Sequence, residues 1–571
     1  MKFFEKVFPY IFLINNSGLY KNFDYNLITN IVTTISSLLV SLLHNRSKGS
    51  IMNKNLQTVF DYHEQTKHSY QRYAKSLGYM DWANQPNPYR FYRGALHVNL
   101  PLALKNSTSP YHLIFSDELP CAPLLRESIS QFLQFSMGLA AIKSDGINEW
   151  ALRCNASSGN LHPSEAYLIL PPVDHIHNQT TISHYTPKDH ALEILTHFDT
   201  NIWENLPKNA FFLALSSITY REVWKYGERA FRYVNLDAGH ALRSIQISAK
   251  TLGWHYQYLS EIPDPTLSKI LGLDQKKRFS ENELPDMLLL ITPTKNPQAI
   301  DLKEFIKQIP HNFENIAQNI AVQYQKWPLI EEIEQATFTC KEVKRENVTL
   351  QQIQRDPTKE SKEVILKRRS AQMMDKTDNQ ISFTKLKTLL HSTKESFLGF
   401  KNEVNLVLFV HNVEDLKPGL YIFMRASHHL ESLQSAMKDT FEWEKIDDDL
   451  YALTYGDFKE IAQSISYNQA IASDGAFSLG MLSPFAQEII KYGAHRYKEL
   501  HWECGAIGQQ LYLEATSIGF QATGIGCYLD DVFHSVLGLK SNTFQSLYHF
   551  TVGKALIDSR ILTKELYQDR L

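Results

Sequence analysis

Residues 225–273, KYGERAFRYVNLDAGHALRSIQISAKTLGWHYQYLSEIPDPTLSKILGL, and residues 491–539, KYGAHRYKELHWECGAIGQQLYLEATSIGFQATGIGCYLDDVFHSVLGL, align without a gap at a constant displacement of 266 residues. Lys225-Tyr226-Gly227 falls on Lys491-Tyr492-Gly493, Gly239 on Gly505, Ala249 on Ala515, Gly253 on Gly519, Asp264 on Asp530 and Leu271-Gly272-Leu273 on Leu537-Gly538-Leu539. Ten positions agree, where residue frequencies of several per cent give about three by chance. The chain therefore reads as two diverged copies of one unit.

The physical pattern is copied as well. Ala238, Leu242, Ile245, Ala249 and Leu252 recur at alternating steps of four and three, the spacing of one helix face, and Cys504, Gly508, Leu511, Ala515 and Ile518 reproduce it. Gly239 and Gly505 predict two such helices in close approach, one copy packed on the other. Apolar runs at 166–170, 211–215 and 287–291 in the first copy, and at 406–410 and 549–552 in the second, read as strands. Helices and strands interleave, so the expected class is α+β, two like domains fused in tandem as an intramolecular pseudo-dimer. The expected divisions are an N-terminal extension 1–51, copy one over 52–295, a connector 296–360 and copy two over 361–571. The connector is polar, and its Lys/Glu-rich stretch from Lys341 onward reads as solvated surface.

A chain of 571 residues that is 43% hydrophobic can bury more than one core, and a formal charge of -3 gives no electrostatic footprint for nucleic acid. Cys121, Cys154, Cys340, Cys504 and Cys527 form no CxxC pair, which fits a reduced, cytoplasmic protein. No metal site is expected, since His175 and His177 make only a lone His-x-His in a polar loop. Residues 27–43 are apolar but short for a membrane span and studded with Asn, Thr and Ser. The preferred reading is translation from Met52; an anchor or signal segment is the alternative.

Three local features point to a bound phosphate-bearing ligand. In Arg368-Arg369-Ser370 the guanidinium groups can fork onto phosphate oxygens while the serine adds a hydroxyl. At Gly524-Ile525-Gly526 absent side chains let the backbone approach a planar ligand or take positive φ, and copy one has Tyr258-Leu259-Ser260 there instead. The run from Arg153 through Ser157, Ser158, Gly159, Leu161 and Pro163 to Glu165 is a loop of small donors without a visible counterpart in copy two.

That loop, together with Lys225-Tyr226-Gly227-Glu228-Arg229 and Asp237-Ala238-Gly239-His240, resembles the SagB/ThcOx-type dehydrogenases of the nitroreductase superfamily. The second half resembles the same superfamily, and the likeness covers roughly 70–295 and 360–560. The resemblance implies FMN held between two copies. One side gives the Arg-x-Ser and Gly-x-Gly segments and a C-terminal basic residue; the other gives the small-residue loop. Carried onto this chain, copy two contributes Arg368, Arg369, Ser370, Gly524, Ile525, Gly526 and Lys554 or Arg560, while copy one contributes Arg153, Ser157, Ser158 and Gly159. The reciprocal site has neither an Arg-x-Ser segment nor a glycine pair, so one FMN per chain is expected.

In the peptide-modifying members of that family an adjacent Lys-Tyr pair is implicated in oxidising azolines to azoles, and Lys225-Tyr226 matches it. Such chemistry needs a base to take a proton while hydride passes to flavin N5. Consecutive helix residues do not face one another, so cooperation requires a bend, for which Gly227 is placed, or separate roles. Lys491-Tyr492 is the competing pair. The substrate expected is a small molecule or a modified peptide, with peptide-modifying enzymes as candidate partners. An NAD(P)H-dependent nitro or quinone reductase and a non-catalytic flavin-binding or assembly subunit are the alternatives. Specificity is expected in divergent loops at 185–207 and 482–490.

Overall fold

The computed structural model describes residues 49–105, 107–116, 118–295, 302–310, 313–338, 353, 355 and 357–567. The candidate anchor 27–43, Cys340 and residues 341–352, 354 and 356 of the charged stretch lie outside them. Residues Leu56–Leu571 form one compact unit, separate from Met1–Asn55. Among the described residues no helix is long and apolar enough to cross a membrane.

Two antiparallel seven-stranded sheets dominate the unit. The first runs Leu96–Asn99, Ala191–Phe198, Thr180–Thr186, Ser164–Leu170, Phe211–Ser217, Leu284–Thr292, His255–Tyr258. The second runs Glu444–Asp447, Leu450–Tyr455, Gly419–Phe423, Asn405–Val410, Phe477–Pro484, Phe544–Gly553, Gln521–Ile525. Six strands correspond in order. Period-two alternation feeds a core on each face: Phe211, Leu213 and Leu215 enter one cluster, and Phe212 and Ala214 another. All five strands read from the sequence are present.

The helices keep the displacement of 266 residue for residue. Tyr220–Tyr226 answers to Ala486–Tyr492, Ala230–Thr251 to Arg496–Ser517, and Asp264–Leu271 to Asp530–Leu537. The repeated Leu-Gly-Leu is a helix stop: Gly272 and Gly538 sit at φ 67° and 83°, and the amides of Leu273 and Leu539 reach back to Ser268 O and His534 O.

The long helices Ala230–Thr251 and Arg496–Ser517 cross at Gly239 and Gly505. A Cβ on Gly505 would lie 2.0 Å from Leu236 O and 3.0 Å from the Gly239 Cα. These glycines therefore set the interhelical distance. Gly505→Val should cost about 3 kcal/mol or more, because the obstruction is backbone and cannot rotate away; urea unfolding monitored by far-UV circular dichroism measures it.

Only one face of each long helix is apolar, yet nearly every residue of both is buried. The polar faces meet in a buried network between the copies. Asp530 accepts from Arg229 (3.0 Å) and Arg232 (2.8 Å), and Asp264 pairs with Lys498 (2.9 Å), the residue equivalent to Arg232. This reciprocity is the mark of a two-fold interface, here made within one chain.

The structure departs from the sequence reading in three places. First, the connector is more than a tether: Phe305, Ile309 and Phe313 pack into the copy-one core, and Trp327, Ile330 and Ile333 into that of copy two. Secondly, 185–207 is no open loop, since it holds the end of Thr180–Thr186 and all of Ala191–Phe198; 482–490 is likewise the end of a strand and most of Ala486–Tyr492. Polar residues such as Glu193 and His184 masked those strands, because their burial is satisfied by bonds to one another (2.9 Å). Thirdly, copy one has an added hairpin, Leu139–Ser144 with Glu149–Arg153, which pairs with the C-terminal strand Leu562–Lys564.

Candidate functional site

Site residues predicted from both copies converge beside the crossed helices. Arg368 follows the helix Ser361–Lys367 and is buried, its Nε and Nη2 donating to Cys154 O (2.8 Å) and Arg153 O (3.0 Å) of the copy-one loop. Its Nη1 has no hydrogen-bond partner among the described residues. Burial depresses its pKa, and the acidic groups acting against that are only the Tyr512 phenol and the Cys154 thiol. Arg369 donates to Leu366 O, Arg368 O and Ala140 O; burial, then repulsion from Arg368, brings it to about 10. Arg153 donates to Pro88 O and stacks near Tyr89, while among the described residues its Nε and Nη1 have no partner, nor has Asn155 Oδ1. Buried charge is normally paired. Donors of this kind, with no carboxylate bonded to them, fit a phosphate-bearing cofactor such as FMN.

Ser370 joins the same place through Tyr512, whose hydroxyl meets Ser370 Oγ at 2.8 Å and the Gly524 amide at 2.9 Å. The glycine pair serves close approach, not positive φ. A Cβ on Gly524 would lie 1.8 Å from the Tyr548 hydroxyl, and one on Gly526 2.1 Å from the Tyr233 ring. Ile525 between them is buried. Gln509, on the polar face of the second long helix, accepts from Ala156 N (3.0 Å) and donates to Cys154 O (3.2 Å), tying the loop of one copy to the helix of the other.

Ser157 and Ser158 spend their hydroxyls on Asp237 at 2.6 and 2.8 Å, and the Ser158 amide adds two bonds of 3.0 Å. Burial pushes Asp237 up to about 7 against the pull of those donors. Glu165, which closes the motif, is an anchor held by Arg221 (2.5 Å) and His184 (2.9 Å). Gly159 has φ 58°, and a Cβ there would lie 2.7 Å from Tyr226 Oη and 3.0 Å from Lys225 Nζ. The bend required at Gly227 is present, at φ 54°, where the helix Tyr220–Tyr226 ends. Tyr226 also stacks on Tyr233 at 4.1 Å, which places it next to Gly526. Burial, then Glu222 and Tyr233, raises its pKa well above the ordinary tyrosine value.

Three predicted groups have other partners. Lys554 pairs with Asp378 (2.5 Å) at the surface, and Arg560, with its side chain 86% exposed, pairs with its neighbour Asp558 (2.7 Å). Lys491-Tyr492 packs against Arg496 on the copy-two side. Sequence reading missed Tyr512, Tyr548, Gln509 and Asp237 as parts of the site. The signal available was the polar face of the repeated helices, Asp237 and Gln509 among it. It also missed Glu403, His428 and His429, whose imidazoles meet one carboxylate oxygen at 3.3 and 2.6 Å.

The loop does have a positional counterpart. Ala166 pairs with Leu215 as Leu406 pairs with Met481, which sets a displacement of 240 before the central strand. Gly159 then falls on Gly399, also at positive φ (74°), while Ser157 and Ser158 fall on Phe397 and Leu398.

Comparison with known proteins agrees with this architecture. The model of the nitroreductase family matches residues 126–280 and again 401–554, together more than half of the chain. No curated protein sequence matches. Among solved structures, a nitroreductase described from Anabaena variabilis ATCC 29413 superposes with a TM-score of 0.64 at 19% identity, covering 87% of this chain and 99% of its own. A chain of the E. coli microcin synthetase McbBCD complex with truncated pro-MccB17 bound matches at 18% identity and TM-score 0.26, over 45% of this chain and 98% of its own. A nitroreductase with bound FMN from Bacteroides fragilis NCTC 9343 matches at 16% and 0.20, over 36% and 95%. The chain is a tandem fusion of two nitroreductase domains and belongs to the nitroreductase family.

Proposed function

We propose that this protein is an FMN-dependent oxidoreductase with one FMN per chain, acting as a dehydrogenase on a substrate bound beside Lys225 and Tyr226. The observation that carries the reading is Arg368: a buried guanidinium that, among the described residues, has an unpartnered nitrogen and no carboxylate partner, facing the loop of the opposite copy. Arg368, Arg369 and Ser370 would take the phosphate end, and Gly524 to Gly526 with the 157–159 loop the ring. FMN, when bound, supplies a two-electron acceptor. Tyr226 keeps its proton at neutral pH, since burial disfavours the phenolate, and so serves as a donor or orienting group; Lys225, exposed beside it, is the candidate base. The motif resemblance favours an azoline-containing peptide as substrate and peptide-modifying enzymes as partners.

The test is the visible spectrum of the purified full chain with released flavin counted against protein. One FMN per chain supports the reading, whereas none after reconstitution, or two, overturns it. Tyr226→Phe and Lys225→Met should keep the flavin and lose about 10²-fold or more in oxidation of a thiazoline peptide. Loss of flavin from Tyr226→Phe would make that residue structural instead.

A further inference from the structure

The place related to the Arg368 site by the internal symmetry lies where the copy-two loop meets the copy-one long helix. The displacement of 240 puts Glu395 where Asn155 stands, and that of 266 puts Arg243, Lys250 and Tyr256 where Gln509, Thr516 and Ala522 stand. There Glu395 accepts from Arg243 Nη2 (2.6 Å), Lys250 Nζ (2.6 Å) and the Tyr256 hydroxyl (2.9 Å). The Phe115 ring sits among three cations, Lys250 at 5.1 Å, Arg243 at 6.0 Å and Arg355 at 3.5 Å, and Arg355 is spent on Glu514 (2.7 Å). Two strong donors and a hydroxyl directed at a two-oxygen anion are the donor set that binds phosphate.

We propose that Arg243, Lys250 and Tyr256 make a second, phosphate-type anion site, kept filled by the Glu395 carboxylate of the same chain. The two sites differ in whether the chain itself supplies the anion. At the Arg368 site the equivalent residue is the neutral Asn155, which brings no charge to the Arg368 guanidinium, so an anion there would come from outside. At the second site the protein brings its own. Burial alone would push the pKa of Glu395 up, but Arg243 and Lys250 overcome that and hold it well below the usual carboxylate range, so the internal anion stays charged.

The second site does not fit a whole flavin nucleotide. Phe397 replaces Ser157 and lies under Arg243 at 4.6 Å, and Tyr258 replaces Gly524. Its ligand class is accordingly a small inorganic oxyanion. The inference rests on the proposed Arg368 site only for the symmetry comparison, and it is tested with that site silenced.

Arg368→Ala and the double variant Arg368→Ala/Glu395→Ala are compared by thermal unfolding in about 50 mM phosphate and in chloride of equal ionic strength. Millimolar binding raises the Tm of the double variant by about 2 °C for a unit of this size, with no rise in the single variant. Equal responses from two folded proteins overturn the proposal. Should the alanine variant fail to fold, Glu395→Asn, which installs the residue of the other loop, carries the same comparison. Phosphate responsiveness in the double variant, together with a wild-type chain that takes up no FMN on reconstitution, would leave this site standing and sink the flavin reading alone.

Discussion

Arg368→Ala is expected to give a folded protein that no longer retains FMN. Removing one member of a desolvated, hydrogen-bonded charge pair costs about 2–5 kcal/mol of binding, roughly 30- to 5,000-fold in Kd. At the upper end the yellow colour is lost on purification. Arg368 also donates to Cys154 O and Arg153 O, so a purely structural role must be separated from a binding one. The sign of the stability change does this. In the apo-protein a buried guanidinium without an anion is a liability, so the variant should unfold at a temperature equal to or above that of apo wild type. A variant that loses flavin because it has lost its fold would unfold earlier. Arg368→Lys is no conservative control, because a point charge cannot hold both carbonyls and a phosphate in one plane.

Asp530→Ala carries the largest expected cost in stability, about 3–5 kcal/mol, because Arg229 and Arg232 are left buried without their anion. Urea unfolding at pH 7 measures it. Burial raises the pKa of Asp530, but the two arginines and the His68 amide outweigh it and hold the carboxyl far below its ordinary value. The folded pKa thus lies below the unfolded one of about 3.9. The contribution is present in full above that value and drains away as pH falls further. The difference in stability between wild type and Asp530→Ala should accordingly shrink as pH falls from about 4 to about 2, although other carboxylates titrate in both proteins. A difference that stays constant to about pH 2 would show that the ion pair is not its source.

What was legible in the sequence was whatever the backbone demands of particular residues. Gly239 and Gly505 cannot be replaced where helices touch through their Cα atoms, and Leu-Gly-Leu stops both short helices, so the repeat survived divergence there. The pseudo-dimer followed from it. Arg368, Ser370, Gly524 and the 157–159 loop were also legible, being compact motifs that the fold does bring together. Tyr512, Tyr548 and Gln509 were not, because they stand as single polar residues on otherwise ordinary helices and strands, and their partners, Ser370 and Gly524 for Tyr512, His240 for Tyr548 and the 154–156 loop for Gln509, are distant in sequence. Lys554 and Arg560 came only from the resemblance, and the structure pairs each side chain with an aspartate at the surface. The counterpart loop at 393–399 was hidden by its chemistry: Gly399 keeps the bend, but Phe397 and Leu398 erase the serine pattern.

The hairpin Leu139–Ser144/Glu149–Arg153 and the strand Leu562–Lys564 that extends it show what covalent fusion makes available. In a dimer of identical subunits every insertion is encoded once and built twice, so an addition useful at one active site is forced upon the other. Here each half has its own codons. A hairpin can grow on one side only, a carboxylate can close one cleft while an amide leaves its twin open, and the halves need never find each other by diffusion, since dilution cannot separate them. The pairing energy that a homodimer must keep large enough to assemble is thereby released to support lopsided chemistry.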